Sequence, residues 1–260
     1  MQNRYTADLG DFGKYGLLRA LCFPGNQENT QNLSLGMVWY LVPDDINGND
    51  GKHINYLRPT TQNENRFGKC DPFLYDALRK IITSGTRQVS TIPKSGIFPP
   101  DTIYFEEALS FNGMTSSGDT ACNMRLAYRK RWLVSALDAT ANCDVVFVDP
   151  DNGLEVSVRK HQKPGPKYVY YDELSPFLLR GQSLVIYHHL SRNGSAEEQI
   201  EKRSAELSKK VEGAGDCVLS LCYHRGTARV FFIIPSEKHK NIIHERIKYF
   251  LQGPWSKHFY

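Results

Sequence analysis

The stretch Asp144-Val-Val-Phe-Val148-Asp149-Pro150-Asp151-Asn152-Gly153 sets the reading of the whole chain. Its apolar run has no polar alternation, as expected of a strand buried on both faces. It stops at a dense cluster of turn formers. Working outward, a basic loop carries Arg159, Lys160, His161, Lys163 and Lys167, and a helix is predicted from about Tyr171 to Leu179. Ser183 to Tyr187 reads as a second buried strand, ending in His188-His189. Asn193-Gly194-Ser195 opens a helix from Ala196 to about Val211. Cys217–Tyr223 and Ala228–Ile234 read as a hairpin around His224–Thr227, and a last helix covers His239–Leu251. Strands alternating with helices imply a parallel sheet with right-handed crossovers, to which the hairpin adds an antiparallel strand.

The N-terminal half is less regular. Phe12–Leu21 reads as a helix, 36–42 (Gly-Met-Val-Trp-Tyr-Leu-Val) as a strand, Pro72–Ile82 as a helix and Thr102–Phe105 as a short strand. Asn47–His53 is a polar loop, with Gly48 and Gly51 available for close backbone approach, and Asn112–Asp119 is long enough to move. Arg125–Ala139 reads as a helix. Without repeats, low-complexity tracts or a clean linker, residues 1–260 are expected to form a single domain.

With 40% hydrophobic and 12% aromatic residues the chain can bury a substantial core, which excludes disorder. Its apolar runs fall far short of the roughly 18 residues of a membrane span. Met1 is followed by Gln-Asn-Arg-Tyr rather than an apolar leader, so a cytoplasmic protein is expected. None of the six cysteines forms a Cys-x-x-Cys pair, so reduced thiols are expected rather than a zinc site. A net charge of +4 permits nucleic-acid binding without demonstrating it.

Ligands of open parallel sheets bind beyond the carboxyl ends of the strands. Four strand tips bring polar residues there: Asp44 and Asp45, Glu106 and Glu107, Asp149 with Asp151 and Asn152, and His188 with His189. Neighbouring strand residues point to opposite faces, so one of the two histidines should be buried and the other should reach the cleft.

Three features carry a resemblance. The terminal hairpin resembles that of S-adenosylmethionine-dependent methyltransferases, whose seventh strand is inserted antiparallel. Asp149-Pro150-Asp151-Asn152 resembles the Asp-Pro-Pro-Tyr motif of those that act on exocyclic amines of bases, although Asp151-Asn152 stands in place of Pro-Tyr and the stacking aromatic is missing. Tyr5-Thr-Ala-Asp-Leu-Gly-Asp11-Phe-Gly-Lys14-Tyr15-Gly-Leu-Leu-Arg19 is similar to the opening of the bacterial large-subunit rRNA adenine methyltransferase family. Asp11 and Lys14 match, and Tyr15 stands where that family has histidine. More loosely, the chain resembles the partner proteins of the three-Cys-motif group. The likeness covers about the first 20 residues and Asp144 to the C-terminus. A Gly-x-Gly-like loop after the first strand is absent.

The resemblance implies a doubly wound, mostly parallel seven-stranded α/β sheet with a C-terminal antiparallel hairpin, that is, a methyltransferase-like Rossmann fold. It implies S-adenosylmethionine beneath the loops after 36–42 and 102–105. Tyr5, Asp11, Lys14, Asp44 and Glu106 would hold the cofactor, with Lys14 at its carboxylate and Asp44 and Glu106 at its hydroxyls. Asp149, Asp151 and Asn152 would serve the target amine. Nucleic-acid phosphates would lie over Arg125, Arg129, Lys130 and Arg131, and over Arg159, Lys160, Lys163 and Lys167. Other readings stay open. Asp11 could simply cap a helix, with Lys14 solvated. Asp44, Asp149, Asp151 and His188 could hold Mg²⁺ for phosphodiester hydrolysis. The chain could also be a non-catalytic relative that binds nucleic acid or a partner protein.

Overall fold

The computed structural model describes residues 1–24, 31–45, 51–114 and 117–260. Its strands are β1 (Leu35–Val38), β2 (Ile103–Phe105), β3 (Val145–Val148), β4 (Gly153–Leu154), β5 (Tyr168–Val169), β6 (Ser183–His189), β7 (Leu219–Tyr223) and β8 (Arg229–Ile234). Its helices are α1 (Leu9–Cys22), a single turn α2 (Thr61–Asn63), α3 (Pro72–Thr83), α4 (Asp119–Ala139), α5 (Tyr171–Leu179), α6 (Ala196–Lys210) and α7 (Lys240–Gln252).

Six strands form the main sheet, in the order β2-β1-β3-β6-β8-β7. Parallel pairing runs from β2 through β1 and β3 to β6. β8 is antiparallel to β6 on one side and to β7 on the other. The fold is thus mixed α/β with a mostly parallel sheet, which among the described residues has six strands where seven are expected. β4 and β5 pair separately as a two-stranded parallel ribbon.

Alternation along each strand feeds two cores. Val145, Phe147, Val185, Phe231 and Ile233 pack with Leu17 and Leu18 of α1, Leu74 and Leu78 of α3, and Ile243 and Phe250 of α7. Val146, Val148, Ile186, Phe232 and Ile234 pack with Trp132 of α4, Leu174 and Phe177 of α5, and Leu207 of α6. Burial on both faces is why these runs show no polar alternation.

Element ends follow local chemistry. The 36–42 strand stops at Val38 because Tyr40 takes a left-handed φ of 44°, which an extended run cannot accommodate. α1 begins at Leu9 rather than Phe12, since Asp8 caps it by accepting from the backbone N–H of Asp11 at 3.0 Å. Asp71 caps α3 in the same way, and Ser195 with Glu198 forms a capping box on α6. α4 starts six residues earlier than the 125 expected from the sequence, at Asp119.

Candidate functional site

A cavity of 330 Å³ lies over the carboxyl ends of β3 and β6, between the first turns of α1 and the turn that enters β8. Tyr5, Asp8, Asp11 and Lys14 line one side, Asp149–Asn152 the floor, and Tyr187, His189, Arg192, Thr227 and Arg229 the other side. Its size is at the lower end of small-molecule sites, which run to roughly 300–1,000 Å³.

The floor is an ion cluster. Lys14 Nζ donates to Asp11 Oδ1 at 2.9 Å, to Asp149 Oδ2 at 2.6 Å and to Met1 Sδ at 3.7 Å. Asp11 Oδ2 also accepts from the Ala7 backbone N–H at 2.9 Å and the Tyr15 hydroxyl at 3.2 Å. The Met1 amino group donates to the carbonyl oxygens of Tyr40 and Asp149, at 3.1 and 3.0 Å. Burial opposes the charge on Lys14, but Asp11 and Asp149 outweigh it and hold the ammonium above its ordinary range. Burial also pushes Asp149 above the usual carboxylate range, while Lys14 and the Met1 amine pull it back. Asp8, buried beside Arg229, is likewise raised by desolvation.

A second polar knot holds the neighbouring turn. Gln2 Nε2 donates to Asp151 Oδ2 at 2.6 Å and to Asp45 Oδ2 at 3.1 Å. Lys167 reaches the same two carboxylates, at 2.7 Å from Asp45 and 3.4 Å from Asp151. Arg87 fastens the N-terminal segment from above, donating to the carbonyl oxygens of Arg4, Thr6 and Gly51. Gly51 has a φ of 78°, and a Cβ there would sit 2.2 Å from the Arg4 carbonyl oxygen, so only glycine allows this closure.

Of the residues expected from the sequence, the fold brings Tyr5, Asp11, Lys14, Asp149, Asp151 and Asn152 to one cavity. Asp44 and Glu106 stay outside it: Asp44 is exposed and accepts from the Arg4 backbone N–H at 3.3 Å, and Glu106 is exposed beyond β2. Bulky Trp39 and Tyr40, both almost fully buried, follow β1 where a glycine loop would otherwise give a ligand access. Gly48 lies outside the described residues. The histidine pair divides as its strand geometry requires. His188 is buried with Nδ1 accepting from the Leu154 backbone N–H at 3.0 Å, and His189 lines the cavity.

Two expectations need correction. Lys14 is not solvated, and Asp8 rather than Asp11 is the cap. The phosphate-binding clusters also shrink. Arg129 is 2% exposed and clasps Glu173 through two N–H···O contacts of 2.6 and 2.8 Å, so it cannot meet a nucleic acid. Arg125 is buried with its guanidinium on the His161 carbonyl oxygen, Lys160 pairs with Asp172, and Lys167 belongs to the Asp45–Asp151 knot. Lys130, Arg131, Arg159 and Lys163 remain on the surface.

The Mg²⁺ reading finds no support in donor geometry. Among the described residues there is no group of three or more His, Cys, Asp or Glu side chains placed to share an ion. Asp149 instead faces an ammonium, and the acceptor nitrogen of His188 is occupied by a backbone N–H. Among the described residues no helix is long and apolar enough to cross a membrane.

The sequence reading missed Asp8, Arg192, Thr227 and Arg229, which line the same cavity. The Asp8-x-x-Asp11 spacing was a legible capping signal. Arg229, a lone cation opening an otherwise apolar strand, was legible as an anomaly only. No family model, curated protein or solved structure matches the chain.

Proposed function

We propose that this protein transfers a methyl group from S-adenosylmethionine to an exocyclic amine of a nucleic-acid base, in the cytoplasm and on a doubly wound, methyltransferase-like Rossmann sheet. One observation carries the reading. β8 runs antiparallel between β6 and β7 in an otherwise parallel sheet, and the Asp149–Asn152 turn at the tip of β3 lines the cavity beside it. The cavity's mixture of carboxylates, guanidinium groups and hydroxyls suits a nucleoside that carries an amino-acid end, entering over β3 and β6 rather than over β1.

The cofactor supplies an electrophilic methyl on a sulfonium; the rest falls to the protein. An exocyclic amine is a poor nucleophile because its lone pair is delocalised into the ring. A carboxylate that accepts its N–H favours the transition state in which the nitrogen gains positive charge. Asp149 is that carboxylate in this reading: burial raises its pKa, and the Lys14 ammonium 2.6 Å away opposes that shift and favours the charged, accepting form. Asn152 and Asp151 flank the amine from the same turn. The base must leave a duplex or come from a single strand to reach this depth. Lys130, Arg131, Arg159 and Lys163 are the surface charges left to meet its phosphates.

Asp149→Asn keeps the shape of the turn but weakens the acceptor. It should lower methyl transfer to base-containing substrates by roughly 10²–10³-fold. Calorimetric affinity for S-adenosylhomocysteine should change by only a few fold. A folded wild-type protein that binds neither S-adenosylmethionine nor its demethylated product, even at millimolar concentration, would defeat the reading.

A further inference from the structure

Among the charged side chains of the cavity that are nearly removed from solvent, Arg229 is a cation whose hydrogen-bonding capacity is incompletely used. The Arg229 guanidinium is 8% exposed. Its Nε donates to the Tyr187 hydroxyl at 3.3 Å and its Nη1 to the Arg225 carbonyl oxygen at 3.2 Å. Its ion-pair partner Asp8 lies 3.9 Å from Nη2, beyond hydrogen-bond reach. Among the described residues Nη2 therefore makes no hydrogen bond, and the residue lines the cavity.

The surroundings preserve this arrangement. Gly10, in the first turn of α1, lets the guanidinium lie against the helix; a Cβ there would come within 2.7 Å of Arg229 Cζ. Tyr187 and Arg225 fix the plane of the fork, so the free edge is already oriented. The other buried charges nearby each have a partner, and Asp8 accepts from the Asp11 backbone N–H at 3.0 Å. Asp11 and Asp149 share the single charge of Lys14, and Asp151 is held through Oδ2 by Gln2 and Lys167, with its Oδ1 buried and without a hydrogen-bond partner among the described residues. Lys14 has its three N–H bonds directed at Asp11, Asp149 and Met1, which leaves it none for a ligand. It therefore cannot be the carboxylate partner expected from the resemblance. Arg192, exposed at the same cavity, adds a second positive charge.

We infer that Arg229 is the anion anchor of this cavity, its Nη2 edge receiving an oxyanion of the ligand. This rests on the methyl-transfer reading for the identity of that ligand, and replaces Lys14 with Arg229 as the group that holds its charged end. A planar guanidinium binds a carboxylate or a phosphate in the same two-pronged manner. The source could therefore be the amino-acid carboxylate of the cofactor or a phosphate of the substrate, and the probes must separate them.

Calorimetry with S-adenosylhomocysteine, methylthioadenosine and adenosine 5′-monophosphate compares a carboxylate, no anion and a phosphate on one nucleoside. If the carboxylate is the source, Arg229→Gln should weaken S-adenosylhomocysteine by roughly ten- to a hundredfold and leave methylthioadenosine unchanged. If phosphate is the source, the same loss falls on the monophosphate. Arg229→Lys, which keeps the charge and loses the fork, should recover only part of the affinity. Should Arg229→Gln fail to fold, arginine modification by phenylglyoxal on the wild type replaces it, and the anionic probe should protect Arg229 selectively. Equal weakening of all three probes, or no protection, overturns the inference. If S-adenosylhomocysteine binds and ignores Arg229, the anchor is wrong and the methyl-transfer reading survives. If only the monophosphate binds, through Arg229, the anchor stands and the methyl-transfer reading falls.

Discussion

The ammonium of Lys14 and the carboxylates of Asp11 and Asp149 form a contact group of which Lys14 is 5%, Asp11 0% and Asp149 2% exposed. Such a group is stable only when complete, because each charge removed from water depends on the others for compensation. Lys14→Met would leave two buried carboxylates without the ammonium that contacts both of them. That should cost roughly 3–5 kcal/mol in denaturant unfolding. The Lys14→Met/Asp149→Asn double variant should be less destabilised than the sum of its two single changes, since it leaves one buried carboxylate, Asp11, without Lys14 where Lys14→Met alone leaves two. Strict additivity would show that the three groups do not act as a unit. The cluster serves the proposed chemistry by the same physics, since the Lys14 ammonium favours the charged form of a buried carboxylate at the tip of β3.

At the scale of elements, α1 positions one wall of the cavity, and its seating depends on glycines. The ring of Trp255 lies over Gly16, where a Cβ would fall 2.3 Å from the indole Cη2. Tyr223 closes on Gly13 in the same way, at 2.8 Å. The Trp255 ring cannot retreat easily, because it also packs on Phe12 with ring centroids 4.8 Å apart and on Phe250 at 5.3 Å. Gly16→Ala has better helix propensity. It should nevertheless destabilise by about 1–3 kcal/mol through overpacking. Thermal unfolding decides this, and a stabilised Gly16→Ala would show that the helix can shift outward without loss. A shifted α1 would carry Asp11 and Lys14 away from β3, so activity should fall with stability.

At the scale of the whole molecule, buried neutral histidines couple folding to pH. Burial holds His188 down at about 3 and His258 at about 4, against an ordinary value of 6.5. The sign follows directly. Between those values the unfolded chain binds protons that the folded chain refuses, so this contribution is complete above 6.5 and is lost as pH falls below it. Unfolding free energy should therefore drop between about pH 7 and about pH 4. The ring signals of His188 and His258 should stay at their neutral positions in NMR spectra down to about pH 5. Ring signals that move at ordinary histidine pH would refute the assignment. The raised carboxylates Asp8 and Asp149 act in the opposite sense, so His188→Gln and His258→Gln variants isolate the histidine part of the slope.

Much of this architecture was legible in the linear chain, for local reasons. Val145–Val148 and Ser183–His189 show unbroken apolar character because both faces of each strand are covered, and the turn formers after Val148 had to stand at a strand tip. Asp11, Lys14 and Asp149 could each be picked out by residue type and motif. Their meeting across 135 positions of sequence could not, because an ion pair is created by packing and leaves no periodic trace. The same holds for Arg129, which reads as one more helix-surface cation until the fold sets Glu173 beside it. It holds equally for Arg229, whose unused edge exists only because Gly10, Tyr187 and Arg225 converge on it. Local propensity and hydrophobic pattern determine where elements begin and which faces they bury. Which charges are neutralised, and which is left facing the cavity, depends on distances and desolvation that arise only once the chain has packed.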